Sequence, residues 1–209
     1  MINITLASLQ LLNLYGSSPL ISRSFHDFNI KNSYFSKSTI SVLNLHTFSH
    51  LSLHNSQFTK FSMTPIHISG LDFRNQSFTN HTSWSNETTV SLTKCLFLNC
   101  KSSNSHGGAI LMAVQGQSSL SINCSGFANC STSYGDGGAI YCNTQNITLL
   151  KTCFQNCFCA NKGEVLHLTT LFEVNLNYIE INNNETFKDV NRKESTLVYT
   201  NGKLKNIYN

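Results

Sequence analysis

The sequence is short of charge. Lys and Arg number 14 and Asp and Glu 10 among 209 residues, so charged residues make up 11%, against roughly 25% in an ordinary soluble domain. The net charge of +4 is small, and no dense basic patch with interleaved aromatic residues is present, which argues against nucleic-acid binding. Proline is equally scarce, at two positions, and 40% of the residues are hydrophobic, which excludes a disordered chain.

Long hydrophobic runs are also missing. No stretch approaches 18 uninterrupted apolar residues, so neither a transmembrane helix nor membrane insertion within this chain is expected. Residues 1–22 include the apolar segment LASLQLLNLY but lack an initial positive charge and a small-residue cleavage site, both of which a secretory signal peptide needs. We therefore expect residues 1–30 to form a first strand or a capping segment of the fold.

The chain is rich instead in serine, threonine and asparagine, and it contains 14 phenylalanines. Ser, Thr and Asn favour turns and strands over helix interiors, while Phe and β-branched residues favour strands. Apolar and polar residues alternate with period two in several short segments, which predicts strands with one buried face. These segments are 39–45, 51–54, 66–68, 89–92, 174–176 and 179–181.

Two motifs repeat along the chain. Phe-x-Asn-Cys occurs three times, ending at Cys100, Cys130 and Cys157. Gly-Gly-Ala-Ile begins seven residues after Cys100 and again seven residues after Cys130, and Lys-Gly-Glu-Val at 162–165 is a degenerate third copy. Internal repetition of this kind is the signature of a repeat architecture.

Weaker copies of the phenylalanine motif continue the repetition upstream. The marker phenylalanines follow one another at steps of 19 to 30 residues, which fits coils with loops of variable length better than a helical repeat of fixed length. Short strands, turn residues and this spacing predict a β-solenoid of about eight or nine coils that stack at roughly 4.8 Å. The markers are Phe35, Phe58, Phe78, Phe97, Phe127 and Phe154.

Stacking of coils assigns a structural role to each repeated residue, because equivalent residues of successive coils lie directly above one another. The glycine pairs are expected at a tight corner where a positive φ or a close backbone approach excludes a Cβ atom. The phenylalanines are expected to form an aromatic ladder in the core, and the asparagines a hydrogen-bonded amide ladder at the corners. These residues are Gly107, Gly108, Gly137 and Gly138, then Phe97, Phe127 and Phe154, then Asn99, Asn129 and Asn156.

Phe-x-Asn-Cys followed by Gly-Gly-Ala-Ile resembles the repeat of the polymorphic outer-membrane proteins, which occurs in chlamydial surface adhesins and in Cys-rich surface proteins of protists. The resemblance is specific over residues 95–142, weaker to residue 168 and only architectural elsewhere. It implies a right-handed parallel β-helix that is secreted or exposed on a cell surface and serves in adhesion or antigenic display. Against that family the chain is short, so we expect it to be a fragment of a larger surface protein.

All eight cysteines lie between residues 95 and 159, and three roles are open for them. Stacked cysteines of adjacent coils would have Cα atoms roughly 5 Å apart, within the range that a disulfide allows. They equally fit buried thiols that pack as small hydrophobic side chains. A metal site fits less well, because no second Cys or His pair follows at finger-like spacing. The cysteines are Cys95, Cys100, Cys124, Cys130, Cys142, Cys153, Cys157 and Cys159.

Eight Asn-x-Ser/Thr sequons point to a secretory route. Asn129 is expected to be a poor glycan acceptor, because its amide is assigned to the ladder. Asn123 is likewise not among the candidate sites. The candidate glycosylation sites are Asn3, Asn75, Asn80, Asn86, Asn146 and Asn184.

Carbohydrate-cleaving enzymes also adopt parallel β-helices, so an enzyme of this kind is the alternative. Such enzymes use paired carboxylates or an Arg or Lys base beside metal-binding acids, whereas this chain has ten widely separated acids and three arginines. The best polar pair, Asp72 with Arg74, fits an exposed ion pair. His106 precedes a glycine pair, but Asp136 takes the equivalent place in the next repeat, so this position needs only a polar turn residue. No catalytic residue, metal site or cofactor is therefore expected.

The sequence thus predicts one non-catalytic all-β domain over residues 1–209, extracellular or on a cell surface. Its expected partner is an unidentified glycan or protein ligand on a host cell or in the extracellular space. A truncated remnant without independent function is a further alternative. Within the domain we expect an N-terminal strand or cap, degenerate coils, Cys-rich coils with Gly-Gly-Ala-Ile, and terminal coils with a tail. These segments are residues 1–30, 31–94, 95–168 and 169–209.

Overall fold

The computed structural model describes residues 3–16, 18–21, 26–46, 48–69, 87–114, 116–183 and 196–208, the last six by their backbone only. Every named element in these ranges is a β-strand, and the eighteen strands pair in parallel. The chain therefore forms a parallel β-helix, which confirms the predicted fold class. Within the described ranges, no helix of the length and apolarity needed to cross a membrane is found.

The strands form three parallel ladders, one on each face of the β-helix. The first face contains β1 (Asn3–Ala7), β3 (Asp27–Lys31), β6 (His50–His54), β9 (Thr88–Thr93) and β12 (Ser118–Asn123). The second face contains β2 (Gln10–Leu14), β4 (Tyr34–Ser38), β7 (Gln57–Phe61), β10 (Leu96–Ser102) and β13 (Gly126–Ala128). The third face contains β5 (Leu43–Leu45), β8 (Ile66–Ser69) and β11 (Ile110–Ala113).

Later strands are longer and run around the corners from one face to the next. Two short strands continue the ladder at the end of β10: β14 (Ser131–Thr132) pairs with β10, and β16 (Phe158–Cys159) pairs with β14. The long strands that begin on the third face and continue onto the first are β15 (Ile140–Gln155), β17 (Leu166–Asn182) and β18 (Val198–Tyr208). Strands β15 and β17 also continue onto the second face.

The described chain makes six turns that contribute a strand to all three faces, with a partial turn at each end. The prediction of eight or nine coils was therefore too high. Part of the excess comes from Phe78, which was counted as a coil marker. In the structure β7 pairs directly with β10, so Phe58 lies in register with Phe97 and no coil separates them. Phe78 itself lies outside the described residues.

The core consists of side chains that alternate inwards along each strand. On the second face, phenylalanine rings of successive turns stack with centroid separations of 4.8 to 5.1 Å. This confirms the predicted aromatic ladder and extends it by two rings. The ladder contains Phe35, Phe58, Phe97, Phe127 and Phe154, all at most 1% exposed.

The corner after the second face is built by residues with positive φ. Asn99 and Asn129 both have φ of +53°, and Asn156 has φ of +49°. Lys37 and Lys60 occupy the same position in earlier turns with φ of +55° and +57°. An amide is therefore not what these positions share, and the side chains of Asn99 and Asn129 are exposed. The structure gives these asparagines a backbone role, since Asn tolerates left-handed φ better than most residues. The amide ladder stays a prediction.

The glycine pairs lie at the corner that precedes the third face, as predicted. Gly107 and Gly137 have φ of +60° and +67°. Residues that carry a Cβ atom rarely adopt a positive φ of this size. The second glycine of each pair is needed for close approach: a Cβ on Gly138 would lie 2.4 Å from the carbonyl oxygen of Glu164 in the next turn, and a Cβ on Gly108 would lie 2.4 Å from that of Gly138. Both physical reasons given for the motif are confirmed.

Candidate functional site

Polar and aromatic side chains collect on the outward row of the third face. Each third-face strand begins with an aliphatic residue, which is buried or, for Val198, half-buried. The residue after it points outward because side chains alternate along a strand. These outward residues lie in register across six turns. The row is Asn44, His67, Leu111, Tyr141, His167 and Tyr199.

A groove of about 470 Å³ lies against the β5, β8 and β11 part of this row. It is lined by residues of these three strands, by His46 after β5, and by residues of the two loops that lead into β11 and β15. The lining offers imidazole, amide, hydroxyl and phenol groups, and contains neither a carboxylate nor a lysine among the described residues. It consists of Asn44, His46, His67, Ser69, Asn104, Ser105, His106, Leu111, Tyr134 and Gly135.

Two of the groove histidines come from neighbouring turns. The exposed ring of His46 places Nδ1 3.2 Å from both the carbonyl oxygen and the hydroxyl of Ser69. His67 is half-buried, and its burial lowers its pKa, with a further lowering by the nearby His46, since a second imidazolium would repel the first. At neutral pH, His67 is therefore a neutral hydrogen-bonding ring, and it takes up a proton only on acidification.

The third groove histidine is held by Asp136. The backbone N–H of Asp136 donates a hydrogen bond of 2.9 Å to Nδ1 of His106, which places the ring proton of neutral His106 on Nε2. The Asp136 carboxylate accepts a hydrogen bond of 2.9 Å from the Lys162 N–H. Its other oxygen lies 3.6 Å from Nδ1 of His106 and 3.7 Å from Nδ1 of His167, distances that suit ion pairs but exceed a hydrogen bond.

Four rings stack beside the groove in a ring column formed by His106, Tyr141, His167 and Tyr199. Successive centroids are 4.4, 4.8 and 4.6 Å apart. Burial lowers the pKa of His167 although Asp136 opposes that shift. Burial also raises the pKa of Tyr141, with Asp136 adding to the rise. Tyr141 and His167 are therefore neutral near pH 7, and the column adds aromatic surface to the polar groove.

One predicted cysteine ladder is present, but its cysteines are free thiols and are not joined by disulfides. Cys100, Cys130 and Cys157 lie in register and are fully buried. Each thiol donates to the carbonyl oxygen of a ladder phenylalanine in the preceding turn, at 3.5 or 3.6 Å. In-register side chains of parallel strands point the same way at about 4.8 Å, wider than the Cβ separation of roughly 3.5–4.5 Å in a disulfide. Cys142 and Cys159 are also buried, so these five fit the small-hydrophobe role.

The second predicted ladder, of Cys95, Cys124 and Cys153, is absent. Cys95 lies in register with Ser125, to which its N–H donates a hydrogen bond of 3.1 Å, and Cys153 pairs with Gly126. The equal 29-residue spacing of these cysteines misled the prediction, because the turns here take 30 and 27 residues. All eight cysteines lie in the described part of the chain and none forms a disulfide; Cys124 and Cys153 are exposed.

Other predicted sites are scattered over the surface. In the described ranges, no group of three His, Cys, Asp or Glu side chains is close enough to hold a metal ion. The sequon residues Asn3 and Asn146 are exposed, and so is Asn129, which was expected to be a poor acceptor. Several predicted residues lie outside the described ranges: Asp72, Arg74, Asn75, Asn80, Asn86 and Asn184.

Sequence reasoning missed the groove because it treated the histidines as scattered. His106 and Asp136 do occupy equivalent places, as predicted, since the N–H of Gly107 donates to the Asp136 carbonyl oxygen. The signal for His67 was its place directly after the inward Ile66, but this turn carries no Gly-Gly-Ala-Ile motif to align it with the later turns. Its relation to Tyr141 appears only once the register is known.

The groove offers hydrogen-bonding groups rather than carboxylates among its described residues. Its described lining supplies hydrogen-bond donors and acceptors, with ring faces alongside, whereas glycoside hydrolysis needs two carboxylates about 5–10 Å apart across the ligand. Small-molecule sites combine apolar surface with a few convergent polar groups in this way. No protein-family model matches the chain, and neither a curated protein nor a solved structure matches it.

Proposed function

We propose that this protein is a non-catalytic, extracellular or cell-surface β-helix that binds a glycan in the third-face groove, in an adhesive or display role. The observation that carries the proposal is the composition of that groove: three imidazoles, two amides, two hydroxyls and a phenol around one cavity of about 470 Å³. Sugars present hydroxyl groups for such partners and C–H faces for aromatic rings. The repeat motifs support the same role, because they resemble those of surface adhesins.

The size and direction of the groove suit an extended ligand. A volume of about 470 Å³ falls within the roughly 300–1,000 Å³ of small-molecule sites. The outward row repeats with the spacing of the turns, about 4.8 Å, so a chain lying along the axis meets Asn44, His67 and Leu111 in succession. The ring column continues the same row beyond the groove, with Tyr141 next in register after Leu111.

A carbohydrate-cleaving enzyme is the alternative that the fold invites. None of the described carboxylates lines the groove, and the acid that approaches it, Asp136, is engaged by the Lys162 N–H and faces two histidines. A single engaged carboxylate lacks the acid and nucleophile pair of a glycosidase. Glycan turnover by the purified protein would favour the enzyme over the binding role.

Binding is tested with a glycan array, followed by titration calorimetry on the strongest hit. We expect His67→Ala combined with Asn44→Ala to raise the dissociation constant about tenfold or more, since two groove hydrogen-bonding groups are removed. His54→Ala is the matched control, because His54 is an exposed histidine at the end of β6 on the first face. No glycan binding, or equal binding by both variants, would contradict the proposal. Antibody labelling of intact and permeabilised cells tests the surface location.

A further inference from the structure

We propose that the glycan is acidic, carrying carboxylate or sulfate groups, and that the groove captures it on acidification through His46 and His67. This inference rests on the proposed function, because it names the ligand class of the same groove. The supporting observation is that three imidazoles line one cavity whose described lining has no carboxylate and no lysine. Since imidazole is the side chain that changes charge between pH 5 and 8, pH sets the charge of this groove.

The groups that face each histidine decide how much charge the groove gains. His46 faces the hydroxyl and carbonyl oxygen of Ser69. His67 lies in register between Asn44 and Leu111, and the charged group that acts on it is His46. No described carboxylate faces either ring, so no neighbouring acid would offset a positive charge at this place in the groove.

His106 differs because Asp136 lies beside it. The carboxylate is 3.6 Å from Nδ1 of His106, so a charged His106 is partly neutralised within the protein. Nδ1 also accepts the Asp136 N–H, and protonation there would displace that bond. Of the other titratable groups nearby, Tyr141 stacks on His106, and His167 stacks on Tyr141 and lies 3.7 Å from the Asp136 carboxylate. The uncompensated charge is therefore that of His46 and His67.

Proton linkage gives the direction of the effect. Burial and His46 lower the pKa of His67, so the folded protein resists protonation there, and the free energy of unfolding falls as the pH drops through about 6.5. An anion in the groove favours the charged form of an imidazole over the neutral form, so binding takes up protons and tightens as the pH falls. A neutral glycan has no such linkage.

The test is titration calorimetry at pH 5.0 and pH 7.5 at one ionic strength. The probes are an oligogalacturonate, a sulfated heparin oligosaccharide and a neutral dextran oligosaccharide. We expect the acidic probes to bind about tenfold or more tightly at pH 5.0 than at pH 7.5, as two partly screened charge contacts imply. Proton uptake should appear when buffers of different ionisation enthalpy are compared. Circular dichroism at both pH values checks that the protein stays folded.

The matched variants are His46→Gln with His67→Gln, which keep hydrogen-bonding groups but cannot become charged, and His54→Gln on the first face. The first pair should abolish the pH dependence and His54→Gln should keep it. Retained pH dependence in the first pair overturns the inference, as does binding of the acidic probes with equal affinity at both pH values, although glycan binding itself then stands. If no probe binds and the glycan array is empty, both proposals fail.

Discussion

At Gly138 the chain has no room for a methyl group. A Cβ there would lie 2.4 Å from the carbonyl oxygen of Glu164 and 2.5 Å from the carbonyl carbon of Phe158. Both atoms belong to the backbone of the next turn and cannot rotate away. We therefore expect Gly138→Ala to lower the free energy of unfolding, measured by urea denaturation, by at least about 3 kcal/mol.

Gly16→Ala is the control for that experiment. Its φ is not in the left-handed region, and the nearest atom to an added Cβ is Cγ2 of Ile40 at 3.8 Å, an ordinary contact. The free energy of unfolding should change by less than about 1 kcal/mol. Equal tolerance of Gly16→Ala and Gly138→Ala would contradict the close approach of successive turns.

The burial of the cysteines predicts how many thiols react in the native protein. In the native protein two thiols, those of Cys124 and Cys153, should react with an aromatic disulfide reagent, because the other six are buried. Burial, with Glu180 adding to it, raises the pKa of Cys153, so its reaction rate should keep rising as the pH increases above 9, since the thiolate is the reactive form. Burial raises the pKa of Cys142 to about 12, which adds to its inertness.

The control is the double variant Cys124→Ser and Cys153→Ser, which should show no fast-reacting thiol. After denaturation without reductant, the wild-type protein should show eight thiols. Fewer than eight would mean that a disulfide ladder forms after all.

At the scale of elements, the phenylalanine ladder joins successive second-face strands. Phe127 is 1% exposed and stacks on Phe97 at 4.8 Å and on Phe154 at 5.0 Å. Phe127→Ala should cost about 3–5 kcal/mol of unfolding free energy in urea denaturation. Leu96→Ala, next to the ladder but 37% exposed, should cost far less. A double-mutant cycle between Phe97 and Phe127 should give a coupling of about 0.5–1.5 kcal/mol, and strict additivity would show that the rings do not interact.

The sequence predicted these second-face elements well where inward residues and a corner residue occur in one motif. In Phe-x-Asn-Cys the Phe and the Cys both point inward, and the positive-φ Asn between them turns the corner, so the motif marks face, corner and register together. Upstream the signals separate. Lys37 and Lys60 take the corner position without an amide, and Phe78 imitates the marker within a turn that takes 39 residues from His50 to Thr89. The coil count failed at this point.

The groove could not be predicted by the same route. His46 and His67 belong to turns without the glycine motif. Their alignment with Tyr141 therefore depends on a backbone register that no sequence motif indicates. The loops that bring His106 and Tyr134 to the strand residues precede the glycine corner. The sequence there shows where the chain turns but not which outward side chains the turn brings together.

For the whole molecule, each turn contacts only the turns before and after it. In such an assembly stability is roughly a sum over turns and interfaces, so the ends should open before the middle. Ile4, Leu6 and Leu11 point inward in the first turn but are only half-buried. We expect amide hydrogen exchange, followed by mass spectrometry, to be fastest in β1 and β2 and slowest in β10 to β15. Uniform protection along the chain would contradict this gradient.

The 39-residue turn shows that the pairing of strands in successive turns depends little on the length of the chain between them. Strands β6 and β9 stay in register from His50–Thr89 to His54–Thr93 although other turns take 23 to 32 residues. Gly116, in the corresponding corner of the following turn, is exposed and has nothing within 4 Å of an added Cβ. Such a corner is an insertion point for protein engineering: a foreign peptide or a small domain spliced there would be carried on a rigid scaffold whose ladders need no redesign.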